Sequence, residues 1–114
     1  MMDFTRLLTA KTPMTLARGA DGYAGLLASD LARLIAHQSG GRLLWIASDD
    51  AAMQALGDAC AYFAPEVEVI RFPAWDCLPY DRAGPSMRAS SARMAALARL
   101  QVPRAGSKAQ LIIT

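Results

Sequence analysis

The chain has 114 residues, the length of one ordinary domain, and is 54% apolar and 19% charged, which places it among globular proteins and excludes a disordered chain. Its net charge of +2 is too small to announce nucleic-acid binding, which shows as a concentrated basic stripe. The apolar runs are a few residues each, short of the roughly 20 that span a bilayer, and the first residues lack a signal-peptide pattern, so a cytoplasmic location and no membrane partner are expected.

Residues 1–13 show no clear period and end in Thr12-Pro13, which reads as a leader or short lead-in helix, with the domain proper at 14–114. Met14 to Ala17 suits a first short strand. Gly19, Gly22 and Gly25 then break the chain at regular spacing. From Tyr23 the period is helical, with Tyr23, Leu27, Leu31, Leu34 and Gln38 on one face, Ile35 flanking it, and Asp30, Arg33 and His37 opposite. Ser39-Gly40-Gly41 stops that helix. Leu43 to Ala47 is a wholly apolar run, expected to be a strand buried on both faces.

Ser48-Asp49-Asp50 offers N-cap chemistry for a second helix with Met53, Leu56, Cys60 and Phe63 at three- and four-residue spacing, closed by Pro65. Glu66 to Phe72 alternates as the next strand, Val67, Val69 and Arg71 against Glu68, Ile70 and Phe72. Pro73, Pro79, Gly84 and Pro85 exclude a long regular element over 73–85. A third helix spans about Ser86 to Gln101, with Met87, Met94, Leu97 and Leu100 as candidate buried positions. Pro103 to Lys108 is a loop, and Leu111 to Thr114 is another apolar strand. Strand and helix alternate, so the expected fold is α/β, a parallel sheet with flanking helices. An apolar strand with no helix after it suggests a sheet left incomplete, as in the first part of a longer protein.

Cys60 and Cys77 are too few and too far apart for a zinc site or a redox CxxC pair. Cys60 belongs to an apolar helical pattern and is expected in the core; Cys77 falls among turns, and a cytoplasmic setting argues against a disulfide.

Strand, glycine turn, helix is the layout of a phosphate-binding loop, whose working form is GxxxxGK[ST]. Lysine there reaches the β- and γ-phosphates, and the hydroxyl holds Mg²⁺. In this chain Gly19, Gly22 and Gly25 are followed by Leu26 and Leu27, and no lysine occurs between Lys11 and Lys108. Asp21 adds negative charge. The turn therefore reads as a degenerate loop that serves helix packing and binds no cofactor.

Arg71-Phe72-Pro73-Ala74-Trp75-Asp76-Cys77-Leu78-Pro79-Tyr80-Asp81 resembles the FPxWExLPYD segment of the bacterial transcription-repair coupling factor family, Mfd. Pro85, Ser90, Ser91, Arg93, Leu97 and Leu100 match the link and helix that follow it in that family, and Leu43 to Ser48 is similar to the family's second strand. The resemblance covers about residues 15–114. Asp76 and Cys77 depart from the commoner glutamate and small polar residue.

The resemblance implies a degenerate P-loop, helicase-like fold similar to domain 1a of the UvrB damage-recognition protein. It implies no catalysis and no cofactor in this part. In the full-length family member, separate domains use ATP and Mg²⁺ to translocate on DNA, remove stalled RNA polymerase and recruit UvrA for nucleotide excision repair. This part is expected to be a scaffold contacting the remainder of the coupling factor, with weak or absent DNA contact. The alternative is a P-loop-type ATPase or a DNA-contacting domain in its own right.

Trp75 and Tyr80 suit either an exposed recognition surface or a plug folded over the sheet edge, the plug being favoured. Asp76 and Asp81, five apart in a loop without a base or metal ligand, read as turn and capping residues. Arg88 and Arg99 share a helical face, flanked by Arg82 and Arg104; a solvated face is favoured over a DNA-facing strip. Arg93 is expected to bury its stem and pair with a carboxylate. His37 sits where a helix C-terminus favours positive charge and has no catalytic partner in register.

Overall fold

The computed structural model describes residues 5–17, 19–20, 23–39, 41–102 and 108–114. Seven elements follow in chain order: α1 (Thr5–Thr9), α2 (Tyr23–Ser39), β1 (Arg42–Trp45), α3 (Asp50–Phe63), β2 (Glu68–Arg71), α4 (Met87–Gln101) and β3 (Gln110–Ile113). The strands form one parallel sheet in the order β1-β3-β2, so both outer strands pair only with the last one. The fold is thus α/β, a three-stranded parallel sheet flanked by helices. Among the described residues no helix is long and apolar enough to cross a membrane.

The register sorts the side chains into two faces. Leu43, Leu111 and Val69 stand in one row, and Trp45, Ile113 and Arg71 in a second row on the same side. This side meets α2 and α3, and the core lies there: Leu111 and Ile113 are buried with Ala28, Ala32, Met53, Leu56 and Cys60. Leu44, Ile112 and Ile70 form a row on the opposite side, where α4 packs against β2. Backbone hydrogen bonds extend the ladder beyond the strands, from Ala47 N–H to Thr114 O and from Phe72 N–H to Ile113 O.

The helices begin where the sequence places their caps. The Asp49 carboxylate accepts from Ala52 N–H at 2.7 Å, and the Ser86 hydroxyl accepts from Ala89 N–H at 3.1 Å. The N–H of Ala64 closes α3 on Cys60 O, just before Pro65. α1 lies within the first 13 residues and buries none of its side chains.

Four expectations are corrected. Met14 to Ala17 is exposed and forms no strand, since none of the described strands pairs with it. β1 is an edge strand covered on one face only, since α4 lies over β2 and leaves the row beyond it open. On α2 the buried face is Gly25, Ala28, Ser29 and Ala32 with Leu27, while Leu31, Leu34 and Ile35 are half-buried. Small residues win there because α2 and α3 approach closely, and a leucine row would hold them apart. On α4 the buried residues are Ala89 and Ala96; Met87 is 88% and Met94 65% exposed, Leu97 is also exposed, and Leu100 is half-buried. The narrow seam with β2 accepts alanine, and the bulky side chains fall to one flank of it.

Phe63 is likewise exposed, its ring edge-to-face with Tyr62 at 5.3 Å. Gly22, Gly40 and the loop at 103–107, Arg104 included, lie outside the described residues, as does the side chain of Gln38.

Candidate functional site

Residues 72–86 leave the carboxyl end of β2 and return to start α4, and contacts made by four side chains order them without regular structure. The Arg93 guanidinium, reaching from α4, lies over the rings of Phe72 at 4.1 Å and Trp75 at 4.3 Å. Its Nη1 donates to Pro73 O at 2.6 Å. Asp50, at the start of α3, accepts from Ala74 N–H at 3.4 Å. The Asp76 carboxylate accepts from Ser86 N–H at 3.0 Å, and that of Asp81 from Leu78 N–H at 2.9 Å. Hydrogen bonding from Ser86, through its hydroxyl and then its backbone, holds the Asp76 carboxyl below its ordinary value. Asp76 and Asp81 thus act as loop fasteners, in keeping with the turn and capping reading.

Fastening the backbone leaves the apolar side chains outward. Tyr80 is 98% and Leu78 71% exposed, Trp75 and Pro79 are exposed, and Cys77 is partly covered. The plug reading is therefore corrected for Tyr80, which covers nothing, and Trp75, itself exposed, has its ring under the Arg93 guanidinium. Phe72, half-buried, is the aromatic that stays on the sheet. Arg93 also differs from expectation: it finds two ring faces and a carbonyl in place of a carboxylate. A guanidinium is planar and weakly hydrated, so it stacks on aromatic faces that a point charge would leave. Nothing in the spacing between positions 72 and 93 signals this contact.

Of the glycine segment the structure describes Gly19, Ala20 and the residues from Tyr23 onward, Asp21 and Gly22 lying outside the described residues. Tyr23 N–H bonds to Ala20 O at 3.0 Å as the chain enters α2. Gly25 lies inside the helix, where an added β-carbon would collide with that of Ala59 on α3. Its carbonyl accepts from the Ser29 hydroxyl at 2.7 Å and faces the Cys60 thiol at 3.7 Å. Burial pushes that thiol's pKa up, and both cysteines are free. Leu27 is buried, and Leu26 is turned outward. A cavity of about 510 Å³ opens beside the turn between Tyr23, Trp45, Ala52 and Leu56, and no described residue lining it is charged. No group of three His, Cys, Asp or Glu side chains among the described residues is placed to hold a metal.

The arginine face is broken. Arg99 pairs with Glu68, whose other carboxylate oxygen accepts from Gln110 at 2.9 Å. Arg82 and Arg88 are exposed and make no ion pair with any described residue. His37 is exposed near the end of α2, and Arg33 instead pairs with Asp30 and Glu66.

Fold and site together define an α/β protein on a parallel sheet, with a fastened aromatic loop at the carboxyl end of β2. Neither a family model, nor a curated protein, nor a solved structure gives a significant match to the chain.

Proposed function

We propose that this chain is the first part of the UvrB-like N-terminal module of a bacterial transcription-repair coupling factor, a cytoplasmic protein, and that it works as a non-catalytic scaffold and interaction domain. The observation that carries the reading is the 72–81 segment. Its sequence resembles the family's FPxWExLPYD, and its geometry suits recognition: a rigid loop presenting Trp75, Leu78, Pro79 and Tyr80 outward. Exposed aromatic anchors on an ordered backbone lose little entropy when a partner covers them.

On this reading the degenerate turn at Gly19, Gly22, Gly25, Leu26 and Leu27 belongs to a helicase-like fold that has lost its nucleotide. The described lining of the adjacent cavity carries no charge and no lysine follows Gly25, which together support that reading. ATP, Mg²⁺ and DNA translocation belong to other domains of the full-length protein, as do RNA polymerase removal and most of UvrA recruitment. Arg88 and Arg99 give this part weak DNA contact at most, since Glu68 neutralises one of them.

Tyr80→Ala in the full-length coupling factor tests the proposal. Tyr80 supports no packing, so the fold and the ATPase are expected to be unchanged while UvrA or polymerase recruitment falls several-fold. Recruitment equal to wild type in both Tyr80→Ala and Trp75→Ala would overturn it.

A further inference from the structure

We infer that the outer edge of β1 is the contact of a homodimer, in which β1 of a second copy of this chain pairs with it antiparallel about a two-fold axis. The inference rests on strand pairing and packing alone and holds whichever family the chain belongs to.

The ladder with β3 fixes which backbone groups of β1 are used. Thr114 N–H donates to Trp45 O, Ala47 N–H to Thr114 O, and Gln110 N–H to Gly41 O. Both backbone groups of a strand residue point to one edge, and successive residues alternate. Residues 43, 45 and 47 therefore face β3, whereas Arg42, Leu44 and Ile46 turn their N–H and C=O outward. No described strand pairs with that outer edge.

Edges that stay single are guarded by charge, proline or a covering element. β2 is guarded in that way. It carries Glu68 and Arg71, each in an ion pair, it runs between Pro65 and Pro73, and helices pack on both its faces. On β1 the run Leu43-Leu44-Trp45-Ile46-Ala47 has neither charge nor proline. Arg42 is drawn away to Gln110 and Leu100 O, and Leu44 is 59% and Ile46 76% exposed.

The edge is complementary to itself. With the axis at Trp45, Leu44 stands opposite Ile46 of the second copy, and each such pair exchanges both its N–H···O bonds. The exposed leucines and isoleucines of the two copies then come together on the face away from α2. Arg42 falls opposite Ser48, so no like charges meet.

The helical layer fits as well. Gly25 faces α3. Leu34, half-buried, stands about 180° around α2 from it and so points out beyond β1. α2 packs on both β1 and β3, so α2 and its mate lie roughly 10 Å apart, the spacing of packed helices. A lone strand from another polypeptide would meet the backbone groups and leave Leu34 uncovered, and a lone helix would do the reverse. A second copy brings both.

Sedimentation equilibrium of the 114-residue chain is expected to show a reversible dimer. Amide exchange followed by NMR is expected to find Trp45 protected at every concentration, and Leu44 and Ile46 protected only in the dimer. Ile46→Pro removes an outward N–H without touching the β3 ladder. Symmetry removes it twice, so dimerisation is expected to weaken at least about tenfold with far-ultraviolet dichroism unchanged. Leu44→Glu and Ile46→Lys are each expected to be monomeric, and mixing them to restore a dimer, because the register sets the two altered positions opposite one another. A chain that stays monomeric at millimolar concentration, a dimer whose Leu44 and Ile46 amides exchange freely, or a mixture of the two charged variants that stays monomeric would overturn the inference.

Discussion

Gly25 of α2 and Ala59 of α3 meet so closely that a β-carbon at position 25 would overlap the alanine methyl. The carbonyl of that same glycine receives the Ser29 hydroxyl and the Cys60 thiol. One residue therefore sets the spacing of the two helices that cover the sheet. Gly25→Ala gains about 1 kcal/mol of helix preference but overpacks a contact with no flexible end to yield, a cost of about 1–3 kcal/mol. The expected outcome in urea denaturation is a lower midpoint with an unchanged slope. Gly25→Leu is expected to prevent native packing, read as loss of the near-ultraviolet dichroism of Trp45.

The same placement bears on nucleotides. A glycine locked into a helix–helix contact is withdrawn from any phosphate cradle, and no described residue lining the neighbouring cavity is charged. Calorimetric titration of the chain with Mg-ATP is expected to give no heat of binding at micromolar to millimolar concentrations. Saturable binding that Leu26→Asp abolishes would contradict both the degenerate-loop reading and the scaffold role.

Arg93 holds the 72–86 segment through two rings and one carbonyl. Arg93→Lys keeps the charge but loses the plane, and Arg93→Ala loses both. Each is expected to raise proteolysis within 72–86 well before global unfolding, alanine more than lysine, with destabilisation of about 1–2 kcal/mol. Far-ultraviolet dichroism stays the same, because α4 is capped by Ser86 independently.

Glu68 gives stability a pH dependence. Its carboxyl is held below the ordinary value by the hydrogen bond from Gln110 and next by that from Arg99. A depressed folded value means that the native state binds fewer protons than the unfolded chain. The stabilisation is then complete above the unfolded value, about 4.3, and is lost as the pH falls through the lower folded one. Glu68→Gln is expected to flatten the slope of stability against pH below about pH 4.5. An unchanged acid limb would show that the Glu68 network contributes nothing.

Most of the architecture was readable because each element carries its own punctuation. Asp49, Ser86, Pro65 and the apolar tetrads of the strands mark their positions locally, and the alternation of strand and helix implies the parallel sheet. The buried faces of α2 and α4 were not readable in the same way. Periodicity ranks leucine and methionine as core, yet close helix and sheet approach selects Ala28, Ala32, Ala89 and Ala96, and tertiary spacing is absent from a single window of sequence. Leu43 to Ala47 was misread as doubly buried because an apolar run reports hydrophobicity and says nothing about how many layers will cover it. The loop's landmarks, Phe72, Trp75 and Asp81, were visible as types. That Arg93 would be the clasp, and that Tyr80 would stand free, depended on a contact across the turn.

Strand order carries a kinetic consequence. Of the three described strands the central one is made after the other two: Arg42 waits 68 positions for Gln110, and Glu68 waits 42. While a ribosome is still extending the chain through α4, β1 and β2 have no neighbour and the nascent polypeptide holds helices without a sheet. Such long-range pairing makes folding slow and late, so Leu111→Asp would strike at the step on which every other strand depends, and newly made chains would be most vulnerable to aggregation in the interval before that strand arrives.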